Sequence, residues 1–412
     1  MTAFLELLQM SIITLVTVFF NPFFWLVVFL VYLQYKRIHK MSIKVIGKNS
    51  ISPKKMTISS MKAGIIGGII GTILMMSVGI TVNVKDFYYI FPLAILLMLI
   101  NIRYICFSYS GGLLSLFSLI VGFPKMNVPS IIGIIAILHL IESILIYVDG
   151  HEEAVPIFLE DKKYGIIGGF TLQRFWPIPF IVLIFASGIL EGSTEINLPD
   201  WWPLFKGNMN LENVTLQMAV VVAALGYGDI AISSVPKDKC KASSKRLFLY
   251  STILLIISMI STKIEIFQWI GAIFSPLAHE YLIIYGQREE KTKTPMFRRH
   301  SRGVTILYRK DGGVGHKIGL NPGDVIVKLN SHWVNDQEEI KEILKGFPPF
   351  IWMEVIEPLG KIKTLEYKDY QRGIKSLDIV MIPKDTSFVF DIETSSCLLK
   401  KMIHFVRKKI KK

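Results

Sequence analysis

Residues 129–148 read PSIIGIIAILHLIESILIYV, an apolar run in which His139 and Glu142 are the only side chains that ionise near neutral pH. A helix rises about 1.5 Å per residue, so a run of this length crosses the roughly 30 Å hydrocarbon core of a bilayer. Comparable runs recur at 63–82, 87–102, 104–123, 175–190, 214–234, 246–261 and 264–285, and residues 3–35 form another, broken at Asn21-Pro22. Hydrophobic residues make up 51% of the 412-residue chain, too many for a soluble fold with runs this long. Residues 1–290 are therefore expected to form an α-helical polytopic membrane bundle of about eight or nine spans. The N-terminal run lacks a basic leader and a small-residue cleavage site, so it reads as a retained helix.

Loop charge orients the spans. From Lys36 to Lys62 the chain carries Lys36, Arg37, Lys40, Lys44, Lys48, Lys54, Lys55 and Lys62 and no acid, which places this loop in the cytoplasm. Lys237, Lys239, Lys241, Lys245 and Arg246 do the same for the loop 235–246. The loop 191–213 carries Glu191, Glu195, Asp200 and Glu212 against Lys206, and its Trp201-Trp202 pair suits the outer interface. The same alternation puts the chain after Gln287 inside. The loop 149–174 also falls inside despite its acids, because acids steer topology weakly. The net charge of +14 fits cytoplasmic loops and anionic lipid, and no nucleic-acid motif accompanies it. Cys106, Cys240 and Cys397 are far apart and odd in number, so they imply neither a disulfide framework nor a CxxC metal site. No cofactor or metal is expected.

Gly303–Gly346 is the one long stretch that reads as a soluble fold. Val304–Tyr308 is an extended apolar run, followed by a turn at Gly312-Gly313 and a short helix ending at Gly319-Leu320. Asn321-Pro-Gly-Asp324 makes a tight turn, and Val325–Leu329 alternates like a half-buried strand. Asp336 is a helix N-cap with Glu339 three residues on, and Ile340, Ile343 and Leu344 form one apolar stripe. Phe350–Glu357 and Lys361–Tyr367 read as two further strands, and Leu377–Ile382 as another. This order resembles a bacterial PDZ domain, with Gly319–Asp324 and the following Val-Ile-Val as the specific part. The resemblance implies a small α+β PDZ-like domain over 294–385 that binds an extended peptide at a sheet edge. Its groove strand is expected ahead of Gly303, so Met296, Phe297, Arg298, Arg299, Val304, Ile306, Ile340, Ile343 and Leu344 are the candidate partner-binding residues. Lys293–His300, basic and interrupted by Pro295, stands where such domains usually carry a Gly-rich carboxylate loop.

Residues 386–412 end the chain as a basic amphipathic helix. Leu398, Leu399, Met402, Ile403, Phe405, Val406 and Ile410 interleave with Lys400, Lys401, Arg407, Lys408 and Lys409, which can hold the tail on an anionic leaflet. A solvated basic tail is the alternative.

Catalytic signatures are weak. An intramembrane metalloprotease needs two His one turn apart with a Glu between them. His139-Leu-Ile-Glu142, His151-Glu-Glu153 and His279-Glu280 each lack the second His, so no catalytic residue is expected. Leu225-Gly-Tyr-Gly-Asp229 resembles a potassium-channel filter but has Ala224-Leu225 where that pattern has Thr-Val. His139 and Glu142 share a helix face and could pair. With Asp229 they leave open a PDZ-regulated membrane enzyme, protease-like, or a transporter. Gly64, Gly67, Gly68 and Gly71 form two overlapping GxxxG repeats, which serve packing inside the bundle or association with a second copy.

The whole layout resembles the MinJ family of division-site topology proteins, polytopic membrane proteins followed by one cytoplasmic PDZ domain. Besides the layout, the resemblance rests on His139–Glu142, Gly168-Gly-Phe-Thr-Leu-Gln-Arg-Phe-Trp-Pro177 and the Gly319–Asp324 turn. It implies a non-enzymatic membrane scaffold at septa and poles that bridges a MinD-like ATPase and a DivIVA-like coiled coil.

Overall fold

The structure, a computed structural model, describes residues 2–47, 52–187, 199–206, 214–386 and 389–390. Helix α1 (Thr2–Val16) and a 3-10 turn lead into α2 (Pro22–Ile46), bent 66° from the helix before it. The bend is local chemistry: Asn21 accepts a hydrogen bond from the Phe23 N–H at 2.9 Å, and Pro22 opens the new helix where no amide partner is needed. Then come α3 (Pro53–Val78), β1 (Thr81–Val82), α4 (Val84–Ile100), α5 (Phe107–Val121) and α6 (Val128–Asp149).

After α6 the chain turns extended. Strands β2 (Val155–Asp161), β3 (Gly165–Ser187) and β4 (Val214–Ala231) precede α7 (Pro236–Ser261) and α8 (Ile266–Thr292). Among the described residues three helices, α3, α6 and α7, are long and apolar enough to cross a membrane, or four if α1 and α2 form one bent span, against the eight or nine spans expected. Helix α6 lies at the centre of the main core, with Ile132, Ile135, Ile137 and Ile141 nearly inaccessible.

Residues 175–187 and 214–231, expected as parts of helical spans at 175–190 and 214–234, are strands instead. They form a long antiparallel pair, β3 with β4, running in register from Phe170 opposite Ala231 to Ser187 opposite Val214. Pro177 and Pro179 explain the difference. In a helix interior each costs about 3 kcal/mol through a lost hydrogen bond and a ring clash. Two apart on a strand, they face the same edge, the one turned away from β4. The donors on either side of them on that edge have partners. Phe175 N–H donates to the Tyr35 hydroxyl at 3.0 Å, and Ile181 N–H donates to Thr72 Oγ1 at 3.1 Å. Strand β1 pairs in parallel with Leu183 and Ile184, and β2 pairs with Gly165–Thr171. The prolines thus remove two donors where an apolar interior offers no acceptor.

Helix α3 covers this edge. Gly64 and Gly68 abut the carbonyls of Pro177 and Pro179, and Thr72 follows at the next turn. Four helical residues rise about 6 Å and two strand residues about 6.6 Å, so the two elements stay in step. Gly67 and Gly71 face Ile141 and Leu145 of α6. Both GxxxG repeats are filled from within the chain. Trp202, expected at an outer interface, is buried and donates to the Met76 carbonyl at 2.9 Å, while Trp201 is exposed.

Strand β5 (Phe297–Arg298) adds to β3 at Gly168 and Ile167. The remaining elements build a separate α+β core: β6 (Val304–Arg309), α9 (Val314–Ile318), β7 (Val325–Leu329), β8 (His332–Trp333), α10 (Gln337–Leu344), β9 (Phe350–Ile356), β10 (Ile362–Lys368) and β11 (Ile379–Met381). The sheet order is β10-β9-β7-β6-β11, antiparallel, with β8 on β7. Ile306, Leu320, Ile326, Ile340, Ile351 and Met353 fill its interior. The 321–324 turn forms as expected: Gly323 has φ +95°, and its N–H donates to the Ile306 carbonyl at 2.8 Å. Asp324 is buried, accepts from Asn321 N–H at 2.9 Å and pairs with Lys363 at 3.0 Å. Asp336 caps α10 through Glu338 N–H, whereas Glu339 reaches back one residue further than a capping box, to Asn335 N–H at 2.7 Å.

Candidate docking groove and buried polar clusters

A cavity of about 540 Å3 separates α10 from β11. Ile340 and Leu344 line one wall, Ile379 and Met381 the other, and Val45, Ile46 and Phe158 face them from α2 and β2. Lys341, Lys345 and Lys375 stand at its rim with Asp385, and Lys341 and Lys345 also pair with Glu338 at 2.7 Å and Glu342 at 3.9 Å on α10. Strand β11 hydrogen-bonds along one side to β6, with a bulge between Val380 and Met381.

The groove strand expected ahead of Gly303 is not where the cavity lies; the strand beside α10 comes from 379–381. The 296–299 segment is already committed elsewhere. Phe297 is fully buried, 5.3 Å from the Phe170 ring in an edge contact, and Met296 N–H donates to the Ile232 carbonyl at 3.0 Å. Arg298 and Arg299 are exposed, and the Arg298 guanidinium stands 5.3 Å over Tyr164. Val304 and Ile306 are buried in the small core. Ile340 and Leu344 face the cavity, and Ile343 is half-buried. Lys400, Lys401, Arg407, Lys408 and Lys409 lie outside the described residues, as does Cys397.

Among the described residues, three polar clusters lie where the helices meet each other and the β3–β4 pair. Arg174, wholly buried, binds both Asp149 oxygens, with Nε–Oδ2 at 3.0 Å and Nη2–Oδ1 at 2.6 Å. Trp176 Nε1 donates to the same carboxylate at 2.6 Å. Residues 174 and 176 share one face of β3, so the Gln-Arg-Phe-Trp run reads as a clamp on the end of α6. In the second cluster, buried Lys239 lies 3.3 Å from Asp229 and 3.7 Å from Glu290. Glu290 Oε2 accepts from the N–H groups of Ile232 and Ser233, each at 2.8 Å. The Leu225–Asp229 run is part of β4, paired to β3 from Trp176 opposite Leu225 to Leu172 opposite Asp229.

The third cluster joins Cys106, His139 and His279, whose ligand atoms all lie within 4.8 Å of one another. His139 does not pair with Glu142; its Nδ1 faces the Ile135 carbonyl at 2.7 Å and its Nε2 faces Cys106 Sγ at 3.1 Å. Asp229 is engaged elsewhere, with Lys239 and Ser243. Sequence inspection finds His139 and His279 only as isolated residues, because the three members come from three separate elements.

No family model matches the chain. Over 262 residues it is 20% identical to the cell division topological determinant MinJ of Bacillus subtilis (strain 168), covering 62% of each chain. Over 250 residues it is 18% identical to the probable cell division topological determinant MinJ of Lacticaseibacillus paracasei, covering 58% of this chain and 61% of the relative. The chain thus spans about three fifths of the length of the curated relatives it matches. The similarity is distant.

Proposed function

We propose that this chain is a multi-pass membrane scaffold for division-site placement whose cytoplasmic PDZ-like domain recruits partners at the α10–β11 groove. The similarity to two bacterial division topology determinants is the observation that carries this reading. The groove supports it: an extended peptide would lie beside β11, with apolar side chains against Ile340 and Leu344. The lysines at its rim favour an acidic segment on the partner, of which a MinD-like ATPase or a DivIVA-like coiled coil is the class implied by resemblance. The scaffold acts without catalysis, and the basic residues 400–409 add anionic-lipid contact.

The test is localisation of a fluorescent fusion in dividing cells, as the full chain, as a chain stopped before Thr294, and as the Lys341→Glu/Lys345→Glu variant. The expected result is septal and polar enrichment of the full chain, with partner recruitment lost in the other two. A uniform membrane signal, with normal division in a deletion strain, would overturn the reading.

A further inference from the structure

We propose that Cys106, His139 and His279 form a transition-metal site inside the helical region, with Zn2+ the best-fitting ion. Nothing in the division role requires it, so the inference stands apart from that reading.

The argument begins with proton accounting. A backbone carbonyl only accepts, so His139 Nδ1, 2.7 Å from the Ile135 carbonyl, carries the proton. Its Nε2 therefore presents a lone pair to Cys106 Sγ at 3.1 Å. Tyr109 donates its one hydroxyl proton to Glu280 Oε2 at 2.6 Å, and the other oxygen of Glu280 pairs with Arg103 at 2.6 Å. The Tyr109 oxygen is then an acceptor, so His279 Nδ1, 3.2 Å away, also carries its proton. His279 Nε2 turns its lone pair to the same sulfur at 3.9 Å. Three ligand atoms converge, and one thiol proton serves two imidazole lone pairs. A cation satisfies all three.

The geometry fits. Tetrahedral zinc with ordinary Zn–N and Zn–S bonds sets its ligand atoms about 3.3–3.6 Å apart. The two sulfur–nitrogen separations, 3.1 and 3.9 Å, bracket that spacing, and the two imidazole nitrogens lie within 4.8 Å of each other. Both imidazoles are oriented by a partner on the far nitrogen, as metal-bound histidines usually are. Two imidazoles and a thiolate suit Zn2+, which accepts both and has no fixed geometric demand. Among the described residues no carboxylate oxygen joins the three ligand atoms, which leaves the fourth position to water. On binding, the Cys106 thiol loses its proton to solvent and a sulfur–metal bond forms. The ion would tie the start of α5 to α6 and α8.

The full chain, purified in detergent, is stripped with chelator, desalted, and titrated with Zn2+ and separately with Co2+. The expected result is about one ion per chain by elemental analysis, and a thiolate-to-metal charge-transfer band with Co2+. Cys106→Ser should abolish that band. Tyr109→Phe, which frees His279 Nδ1, should keep the band and weaken binding at least tenfold. A monodisperse stripped protein that takes up neither ion overturns the proposal. So does a Cys106→Ser variant that keeps the band, because the thiolate would then be another cysteine. The wild-type titration is decisive even if a variant fails to fold.

Discussion

Gly68 lies so close to Pro179 that a Cβ built on the glycine would stand 1.9 Å from the proline's carbonyl oxygen. At Gly64 the same atom would be 2.2 Å from the Pro177 oxygen, whereas at Gly67 the nearest atom is a side-chain methyl of Ile141 at 3.1 Å. Backbone cannot move aside as a side chain can. Gly68→Ala and Gly64→Ala should each cost more than the 1–3 kcal/mol typical (~) of overpacking, and Gly67→Ala should fall within or below that range. Thermal unfolding of the three variants in detergent, compared with wild type, checks the order; equal effects would mean that α3 does not seat on β3 as described.

Thr72 has a different task on the same edge, accepting from the buried Ile181 N–H. Thr72→Val keeps the shape and removes the acceptor, leaving that donor orphaned at a cost of about 1–3 kcal/mol. Thr72→Ser should recover most of the loss. Hydrogen exchange at the Ile181 amide gives the local readout, with faster exchange in the valine variant alone.

These contacts explain why the sequence was legible in one half and misleading in the other. Around Asp324 and Asp336 the local chemistry decides the structure: a Pro-Gly turn, a cap and an alternating strand each act within a few residues. Residues 175–187 and 214–231 are as apolar as the helices, and apolarity alone says nothing of period. The Pro177/Pro179 spacing was the available signal, and it becomes decisive only once α3 is known to cover that edge. The groove strand was displaced for a related reason. Phe297 finds Phe170 and Gly168, far away in sequence, and leaves the place beside β6 to Ile379–Met381. The Cys106 cluster was hidden because motif rules look for ligands one turn apart on a single helix, while His139 and His279 meet across two.

Arg174 and Asp149 test how a buried pair behaves in this setting. Arg174 is fully buried and the Asp149 side chain is 10% exposed. Removing one partner strands the other, so Asp149→Asn and Arg174→Met should each cost about 3–5 kcal/mol. Replacing both with apolar residues should cost less than the sum. It should not reach neutrality, because Trp176 Nε1 loses its acceptor as well. A double-mutant cycle on the full chain reads the coupling, and strict additivity would show that the two side chains act independently.

Asp336 links pH to the groove wall, because it caps α10. Partial burial alone would raise its carboxyl. The Glu338 N–H at 3.2 Å and the Lys384 ammonium at 3.1 Å outweigh burial, and with the Gln337 N–H they hold the group below the ordinary carboxylate range. A pKa lower in the folded than in the unfolded state gives stability that is fully present above the unfolded value, about 3.9. That stability is lost as pH falls through the folded value. Hydrogen exchange of the α10 amides, corrected for intrinsic pH dependence, should therefore be flat from neutrality to mildly acidic pH and rise only in strong acid. Asp336→Ala should raise exchange throughout, equivalent to about 1 kcal/mol of lost capping. Asp336→Asn should keep the cap near pH 7 and flatten the acid limb, since an amide accepts the Glu338 N–H but carries no charge to lose. An acid limb unchanged in the asparagine variant would assign it to another carboxylate.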